Sequence, residues 1–283
     1  MNMRTDHSLL VDPQLSFATV ASGISIPYVE RGAGEPVVFI HGSLCDYRYW
    51  EPQFAPLSAH FRCIAPSLSH YWPAVEACIQ NDFGWQAHVG ELAEFIAALD
   101  LAPVHLVGHS RGGCVAFQLA REYPRLVKSL TLADPGGPLQ KDGMQEASLP
   151  AATNALRAKV AGMIEEGVIE PGLELFVDSV SAPGAWKKST AGFRMMAIDN
   201  ASTLPKQFCD PLPAYSRAAA AGVKCRTLLI DGQKSPRMFR NNVDSLEGWI
   251  YLAERGTIAG ASHGMNAANP AAFNRMLRSF IDY

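Results

Sequence analysis

The amino-acid sequence predicts an α/β fold, with helices on both faces of a mainly parallel central sheet and a helical cap inserted into it. Three observations predict this class. Short, continuously apolar runs are typical of strands buried on both faces, segments with helical spacing separate them, and one long interval has helical patterns but no clear strand. The chain has 283 residues, of which 48% are hydrophobic, so it can bury a large core.

Eight short segments are the expected strands. The first two are predicted to form a hairpin with Ser22 and Gly23 at its turn. The last is the weakest candidate, because it contains glycine and threonine. In chain order the expected strands cover residues 17–20, 24–29, 37–40, 62–65, 104–107, 130–133, 227–230 and 256–259.

Helical spacing of apolar residues appears between these strands, notably at residues 47–57, 89–99 and 273–281. The interval 135–222 lacks a buried strand. We therefore predict an α/β core from residues 1–134 and 223–283, with residues 135–222 as an inserted cap. Such insertions usually form binding pockets, although extra packing helices are the alternative. The helices expected in this interval cover residues 151–166, 172–180, 185–199 and 213–221.

Charge and cysteine content limit the class of protein. The formal net charge is −3, and no basic tract stands out, so neither nucleic acid nor a membrane surface is an expected partner. The first residues lack a basic segment followed by an apolar run, and no apolar stretch reaches the roughly 20 residues of a membrane span. Six scattered cysteines form no C-x-x-C pair, which favours reduced thiols and a cytoplasmic location.

The stretch GHSRG at residues 108–112 carries the strongest chemical signal. An apolar strand precedes it and a helical pattern follows it, which is the context that the G-x-S-x-G nucleophile turn requires. Glycines two residues before and after Ser110 relieve crowding at this sharp turn. The turn exposes the serine hydroxyl and directs the Arg111 amide and the helix N-terminus toward the same point.

These motifs resemble those of the α/β-hydrolase fold family over nearly the whole chain from Val37 onward. The resemblance rests on HGSLCDYRYW, GHSRGG, the helical insert and GASHGMNAANPAAF. It implies that Ser110 is a nucleophile and His263 its general base, with His70 as the alternative base. It also implies an oxyanion hole formed by the backbone amides of Ser43 and Arg111.

The acid of the triad is left open between two aspartates. Many family members carry it in a G-x-x-D pattern after the strand before the last, where this chain has Ser235. Asp134 follows strand 130–133, and some branches of the family place their acid there. Asp231 ends its own strand, four positions before Ser235. We favour Asp134 and keep Asp231 as the alternative.

Pocket residues are less well defined. Leu44 and Cys45 follow the oxyanion loop and are expected on the acyl side. The bulky pair Tyr71 and Trp72 either contacts the substrate or packs under the cap. The Arg111 side chain either grips a substrate carboxylate through two hydrogen bonds or pairs with a neighbouring acid.

The sequence therefore predicts a serine hydrolase that cleaves small to medium carboxylic esters or lactones through an acyl-enzyme intermediate. The mechanism needs no metal or organic cofactor. A carbon–carbon bond hydrolase of diketones or ring-fission products is the second reading. A non-catalytic ligand receptor, which would suit the missing acid at Ser235, is the third. The sequence leaves the oligomeric state open, with a homodimer as one alternative.

Overall fold

The computed structural model describes residues 15–74, 83–143, 147 and 149–283, so His7 and Cys78 lie outside the described residues. It confirms an α/β fold with one eight-stranded sheet in the order β1-β2-β4-β3-β5-β6-β7-β8. The pairs β1·β2 and β2·β4 are antiparallel and all the others are parallel. The strands are β1 (Leu15–Thr19), β2 (Ser25–Arg31), β3 (Pro36–Ile40), β4 (Arg62–Pro66), β5 (Val104–His109), β6 (Val127–Ala133), β7 (Arg226–Gly232) and β8 (Ala253–Ile258).

The apolar runs of the central strands supply both faces of the sheet. Val38 and Ile40 of β3 face one hydrophobic cluster, whereas Val37 and Phe39 face another. All four are fully buried. Burial on both faces explains why these strands are continuously apolar instead of alternating with polar residues.

Helices cover both faces, as the sequence predicts. Three of them pack on the Val38 face and two on the Phe39 face. Each buries an apolar stripe at helical spacing, and this pattern predicted all of them except the helix at Arg237–Trp249. On the Val38 face lie α2 (Trp85–Ala98), α3 (Arg111–Glu122) and α10 (Arg237–Trp249), and on the Phe39 face lie α1 (Glu51–Leu57) and α12 (Pro270–Ile281), which the short α11 (Met265–Ala268) precedes.

Among the described residues, six helices lie between β6 and β7, where the sequence predicts a cap. The first five form a third apolar cluster that includes Leu44 from the loop after β3, whereas Ala220 of the sixth belongs to the cluster on the Val38 face. The division into residues 135–222 and the flanking core stays a prediction. The helices are α4 (Ala151–Glu165), α5 (Ile169–Val180), α6 (Ala185–Lys188), α7 (Ala191–Asp199), α8 (Thr203–Cys209) and α9 (Arg217–Ala220).

Three of these helices, α6, α7 and α8, differ from the sequence-based expectation. The single helix expected over residues 185–199 is broken, because the Thr190 side chain accepts a hydrogen bond from the Phe193 amide and caps a new helix there. Helix α8 was not predicted. Among the described residues, every helix is too short or too polar to cross a lipid bilayer.

Candidate active site

The turn between β5 and α3 holds Ser110 in a strained backbone conformation, with φ 53° and ψ −120°. Two neighbouring glycines make this turn possible. A Cβ on Gly108 would overlap the Gly112 carbonyl oxygen, and a Cβ on Gly112 would overlap that of His41. The close approach of these backbones explains the glycine spacing in the motif.

Ser43 and Arg111, whose amides are expected to form an oxyanion hole, share a cavity lining with Ser110. Arg111 is the first residue of α3, so its amide lies at the positive end of the helix dipole. Ser43 follows the loop after β3 and lines the same cavity as Ser110. Among the described residues, neither amide donates to a backbone carbonyl. Both N–H groups therefore remain available to a ligand.

The imidazole of His263 lies in the loop after β8 and lines the same cavity as Ser110. Its Nδ1 lies 3.0 Å from Oδ2 of Asp134. The Phe239 ring stacks on the imidazole with 3.9 Å between ring centroids and 17° between planes. On another side, His109 Nε2 donates to the His263 carbonyl oxygen at 2.7 Å. These contacts hold the His263 ring and its backbone in place. Nε2 is the ring nitrogen that does not face Asp134.

Asp134 follows β6 and is fully buried, with φ 42°. The Ser235 hydroxyl donates a 2.5 Å hydrogen bond to the same carboxylate oxygen that faces His263. Ser235 Oγ in turn accepts from the Gly232 amide at 3.1 Å. The serine at the usual acid position thus binds the aspartate that faces the histidine.

Asp231, the alternative acid, has other partners. Its carboxylate accepts a hydrogen bond from Thr257 at 2.6 Å and one from Arg255 Nη2 at 2.5 Å. The structure brings Asp134 to His263 and pairs Asp231 with Arg255.

Burial shifts the pKa values of this pair in opposite directions. It lowers the pKa of His263 to about 3 and raises the pKa of Asp134 to about 7, because each charged form loses hydration. The hydrogen bond from Ser235 favours the ionised carboxylate and lowers the pKa of Asp134 again. A neutral imidazole whose Nδ1–H points at Asp134 keeps a lone pair on Nε2, as a general base requires.

The cavity that contains Ser110 and His263 has a volume of about 410 Å³. Leu44 and Cys45 lie on its wall. Apolar side chains of helices α5, α6 and α7 face them, and polar residues of the same segment complete the wall. The apolar residues are Phe176, Val177, Val180, Ala185 and Phe193, and the polar ones are Ser181, Lys188, Ser189 and Thr190.

A smaller cavity of about 50 Å³ adjoins the first and shares Ser43 and Ser110 with it. The Arg111 guanidinium lies on its wall, donates to Asp210 at 2.8 Å and lies 5.0 Å from the centre of the Phe83 ring. Arg111 therefore pairs with an acid of the protein, which is one of the two roles expected for it.

Three aromatic residues named from the sequence lie away from the lining of these two cavities. Tyr71 is fully buried, with its ring centroid 4.7 Å from that of His41. Trp72 lies under the Arg48 guanidinium at 4.1 Å. His70, the alternative base, packs 5.6 Å from the Phe83 ring. The described positions favour a packing role for Tyr71 and Trp72.

Several residues of the site were not predicted from the sequence. Phe239 lies in α10, Gln207 lies in α8 and Asp210 follows α8, and neither helix was predicted. Only Ser235 carried a visible signal, because it occupies the usual position of the acid. Among the described residues, no group of three or more His, Cys, Asp or Glu side chains is arranged to hold a metal ion.

Comparisons with known proteins agree with this fold. The model of the alpha/beta hydrolase family matches residues 37–276. The putative non-heme bromoperoxidase BpoC of Mycobacterium tuberculosis is 30% identical over 277 residues, which cover 91% of this chain and 98% of that protein. The uncharacterized protein Rv2715 of the same organism is 33% identical over 147 residues, and the match covers 51% of this chain and 42% of that protein.

Solved structures show the same architecture. A bromoperoxidase from Bacillus anthracis superposes with a TM-score of 0.79 at 22% identity, covering 95% of this chain and 100% of that one. The esterase EaEST from Exiguobacterium antarcticum superposes with a TM-score of 0.77 at 20% identity, and the match covers 95% of this chain and 99% of that one. Since the family match runs from the third strand to the last helix, the chain belongs to the alpha/beta hydrolase family.

Proposed function

We propose that the protein is a serine hydrolase that cleaves small to medium carboxylic esters or lactones. One observation carries the proposal: Asp134 Oδ2 lies 3.0 Å from Nδ1 of a histidine that shares a cavity with the Ser110 hydroxyl. A serine hydroxyl is a weak nucleophile and needs a base that a third group orients. Ser110, His263 and Asp134 supply these three parts in the chain order serine, acid, histidine.

In the first step, Ser110 Oγ attacks the carbonyl carbon while His263 Nε2 takes the hydroxyl proton. The Asp134 carboxylate stabilises the imidazolium that forms. The carbonyl oxygen becomes an oxyanion and accepts hydrogen bonds from the amides of Ser43 and Arg111. Each such donor is typically worth about 2.7–4 kcal/mol of the barrier.

In the second step, the tetrahedral intermediate collapses and the carbon–oxygen bond to the alcohol breaks. His263 gives its proton to the leaving alkoxide, and the acyl group stays on Ser110. A water molecule then gives a proton to His263 and attacks the acyl carbon. The second tetrahedral intermediate collapses, the bond to Ser110 Oγ breaks, His263 returns the proton to that oxygen, and the carboxylic acid leaves. The apolar lining of the 410 Å³ cavity suits an alkyl or aryl group next to the reacting bond.

The position of Asp134 weakens the receptor reading. That reading depended on Ser235 at the usual acid position, which suggested a triad without its acid. With Asp134 against His263, the serine has a supporting role and the charged partner is present.

The test is reaction of the purified protein with a fluorophosphonate and with p-nitrophenyl acetate. We expect one phosphonyl group on Ser110 by mass spectrometry and a burst of p-nitrophenol followed by steady turnover. The S110A variant, with its fold checked by circular dichroism, is expected to do neither. Wild-type protein that neither labels nor turns over any ester or lactone would favour the receptor, and turnover confined to diketones would favour carbon–carbon bond hydrolysis.

A further inference from the structure

The main cavity is mostly apolar, with the exposed Lys188 on its wall. The small cavity beside Ser110 is cationic. Two guanidinium groups line it, from Arg111 of the core and Arg157 of helix α4. One carboxylate, that of Asp210, lies on the same wall. The charged side chains of this lining therefore sum to one excess positive charge.

The Asp210 carboxylate already accepts hydrogen bonds from other groups of the protein. Its Oδ2 accepts from Arg111 Nη2 at 2.8 Å and from the Trp85 amide at 2.8 Å. Arg111 nevertheless keeps an unused donor, because its buried Nε has no hydrogen-bond partner among the described residues. The side chain is only 4% exposed, so this N–H is shielded from bulk water.

Arg157 is the uncompensated cation of the pair. Within the described ranges no carboxylate pairs with it, and its guanidinium lies 5.3 Å from the centre of the Phe208 ring. Burial and the positive charge of Arg111 both lower the pKa of Arg157. An anion placed between the two guanidinium groups would stabilise the charged form of Arg157 and raise this pKa again.

The neutral polar groups of the cavity wall are largely committed to each other. Ser43 Oγ donates to Gln207 Oε1 at 2.6 Å, and Gln207 Nε2 donates to Thr203 Oγ1 at 3.2 Å. The arginine N–H groups are thus the strongest donors left to a ligand. Guanidinium groups suit carboxylates because their planar donors match both oxygens.

The position of His263 indicates which part of a substrate enters this cavity. It lines the main cavity and is absent from the lining of the small one. Because His263 protonates the leaving oxygen, the alcohol part lies in the main cavity. The acyl chain then extends from Ser110 toward Arg111 and Arg157, and the small volume limits it to a few atoms.

We propose that Arg157 and Arg111 form a subsite for a carboxylate at the end of a short acyl chain. This inference rests on the proposed function and names its substrate class: half-esters of short dicarboxylic acids with an apolar alcohol. Hydrolysis would release the dicarboxylate from the cationic cavity and the alcohol from the apolar one.

The test compares two esters of similar shape, hexyl hydrogen succinate and hexyl 4-methylpentanoate. An isopropyl group replaces the carboxylate in the second ester. We expect wild-type kcat/KM to be about 10- to 100-fold higher for the succinate, since a hydrogen bond to a charged group is worth that ratio. The R157M variant is expected to lose most of the preference and R157K to keep part of it.

The matched control is K159M, which removes a positive charge from an exposed position of the same helix. It should keep the wild-type preference, which separates a local subsite from a general effect of net charge. A binding measurement covers the case in which a variant folds poorly or turnover is absent. Calorimetry of hexyl hydrogen succinate with S110A, compared with the S110A/R157M double variant, should show at least tenfold weaker binding to the latter.

The outcomes separate the two proposals. Hydrolysis of both esters at equal rates would overturn the carboxylate subsite and leave the serine hydrolase intact. Absence of hydrolysis of any ester or lactone would contradict the proposed function, and the calorimetry would then decide the subsite alone. An unchanged preference in a folded R157M protein would also overturn the subsite.

Discussion

The ends of strands β6 and β7 lie side by side in the sheet, and each carries an aspartate. Asp134 follows β6 and faces His263 and Ser235, neither of which carries a permanent charge. Asp231 near the end of β7 faces Arg255, whose guanidinium also binds two further acids. Two similar residues, one strand apart, thus have different electrostatic surroundings.

The difference shows how partners select the role of a carboxylate. A permanent cation such as Arg255 holds the charge of Asp231 in a structural ion pair. Asp134 lacks such a partner, and burial raises its pKa to about 7. Asp134 therefore stabilises an imidazolium forming at His263 more strongly than a solvated carboxylate would.

The largest expected effect is that of D134N. The amide is nearly isosteric but cannot stabilise the imidazolium, so kcat/KM for a good ester should fall by about 10³- to 10⁴-fold. Steady-state kinetics at pH 8 measures this loss. D231N is the matched variant one strand away and should stay within about threefold of wild type. Equal losses in both variants would remove the distinction between the two strand ends.

A second variant tests whether a carboxylate at position 235, after β7, can replace that of Asp134. In D134N/S235D, the new carboxylate replaces a hydroxyl that lies 2.5 Å from the position 134 carboxylate oxygen. We expect it to recover at least about tenfold of the activity lost in D134N, because a charge again lies near His263. The comparison is kcat/KM of the double variant with that of D134N alone. No recovery in a folded protein would mean that only position 134 orients the imidazole.

S235A should have a smaller effect that depends on pH. The Ser235 hydrogen bond stabilises the ionised form of Asp134 and so lowers its pKa, and its loss raises that pKa. Activity requires the carboxylate, so it is lost as pH falls through this value. The acid limb of kcat/KM should move up by about half to one pH unit, as expected for a hydrogen bond of about 1 kcal/mol. S235T is the control that keeps the hydroxyl, and a profile that moves equally in both variants would refute the assignment.

D231N should affect stability more than activity. Loss of the charge breaks a hydrogen-bonded ion pair at a buried carboxylate, although Arg255 keeps Asp244 and Glu247. We expect the free energy of unfolding to drop by about 1–3 kcal/mol in urea denaturation. A stability equal to that of wild type would show that the Asp231–Arg255 pair is not a structural element.

The sequence alone predicted the parts of the site that local motifs encode. Ser110 has its glycines within two residues, and Gly112 is required by the contact it makes with His41. His263 lies in a short loop directly after the last strand. The apolar runs also predicted the central strands, because burial on both faces leaves a pattern in a few consecutive residues.

The sequence favoured Asp134 but could not exclude Asp231 as the acid, because the choice depends on a contact across 129 positions of the chain. Position 134 and position 231 both end a strand, and only the tertiary structure shows which carboxylate meets His263. The same limit applies to Arg157, whose surroundings depend on how α4 packs over the core. Tyr71 is a further case, since a bulky ring after a strand suits a pocket wall as well as the interior where it lies.

The most direct test of the account is the rate at which a fluorophosphonate modifies Ser110 in wild type, D134N and D231N, followed by intact-mass spectrometry at pH 8. This reaction needs the nucleophile, its base and the acid, but no particular substrate. We expect D134N to react at least about 100-fold more slowly than wild type and D231N to react at nearly the wild-type rate. Slow modification of D231N together with fast modification of D134N would contradict the assignment of Asp134 as the acid.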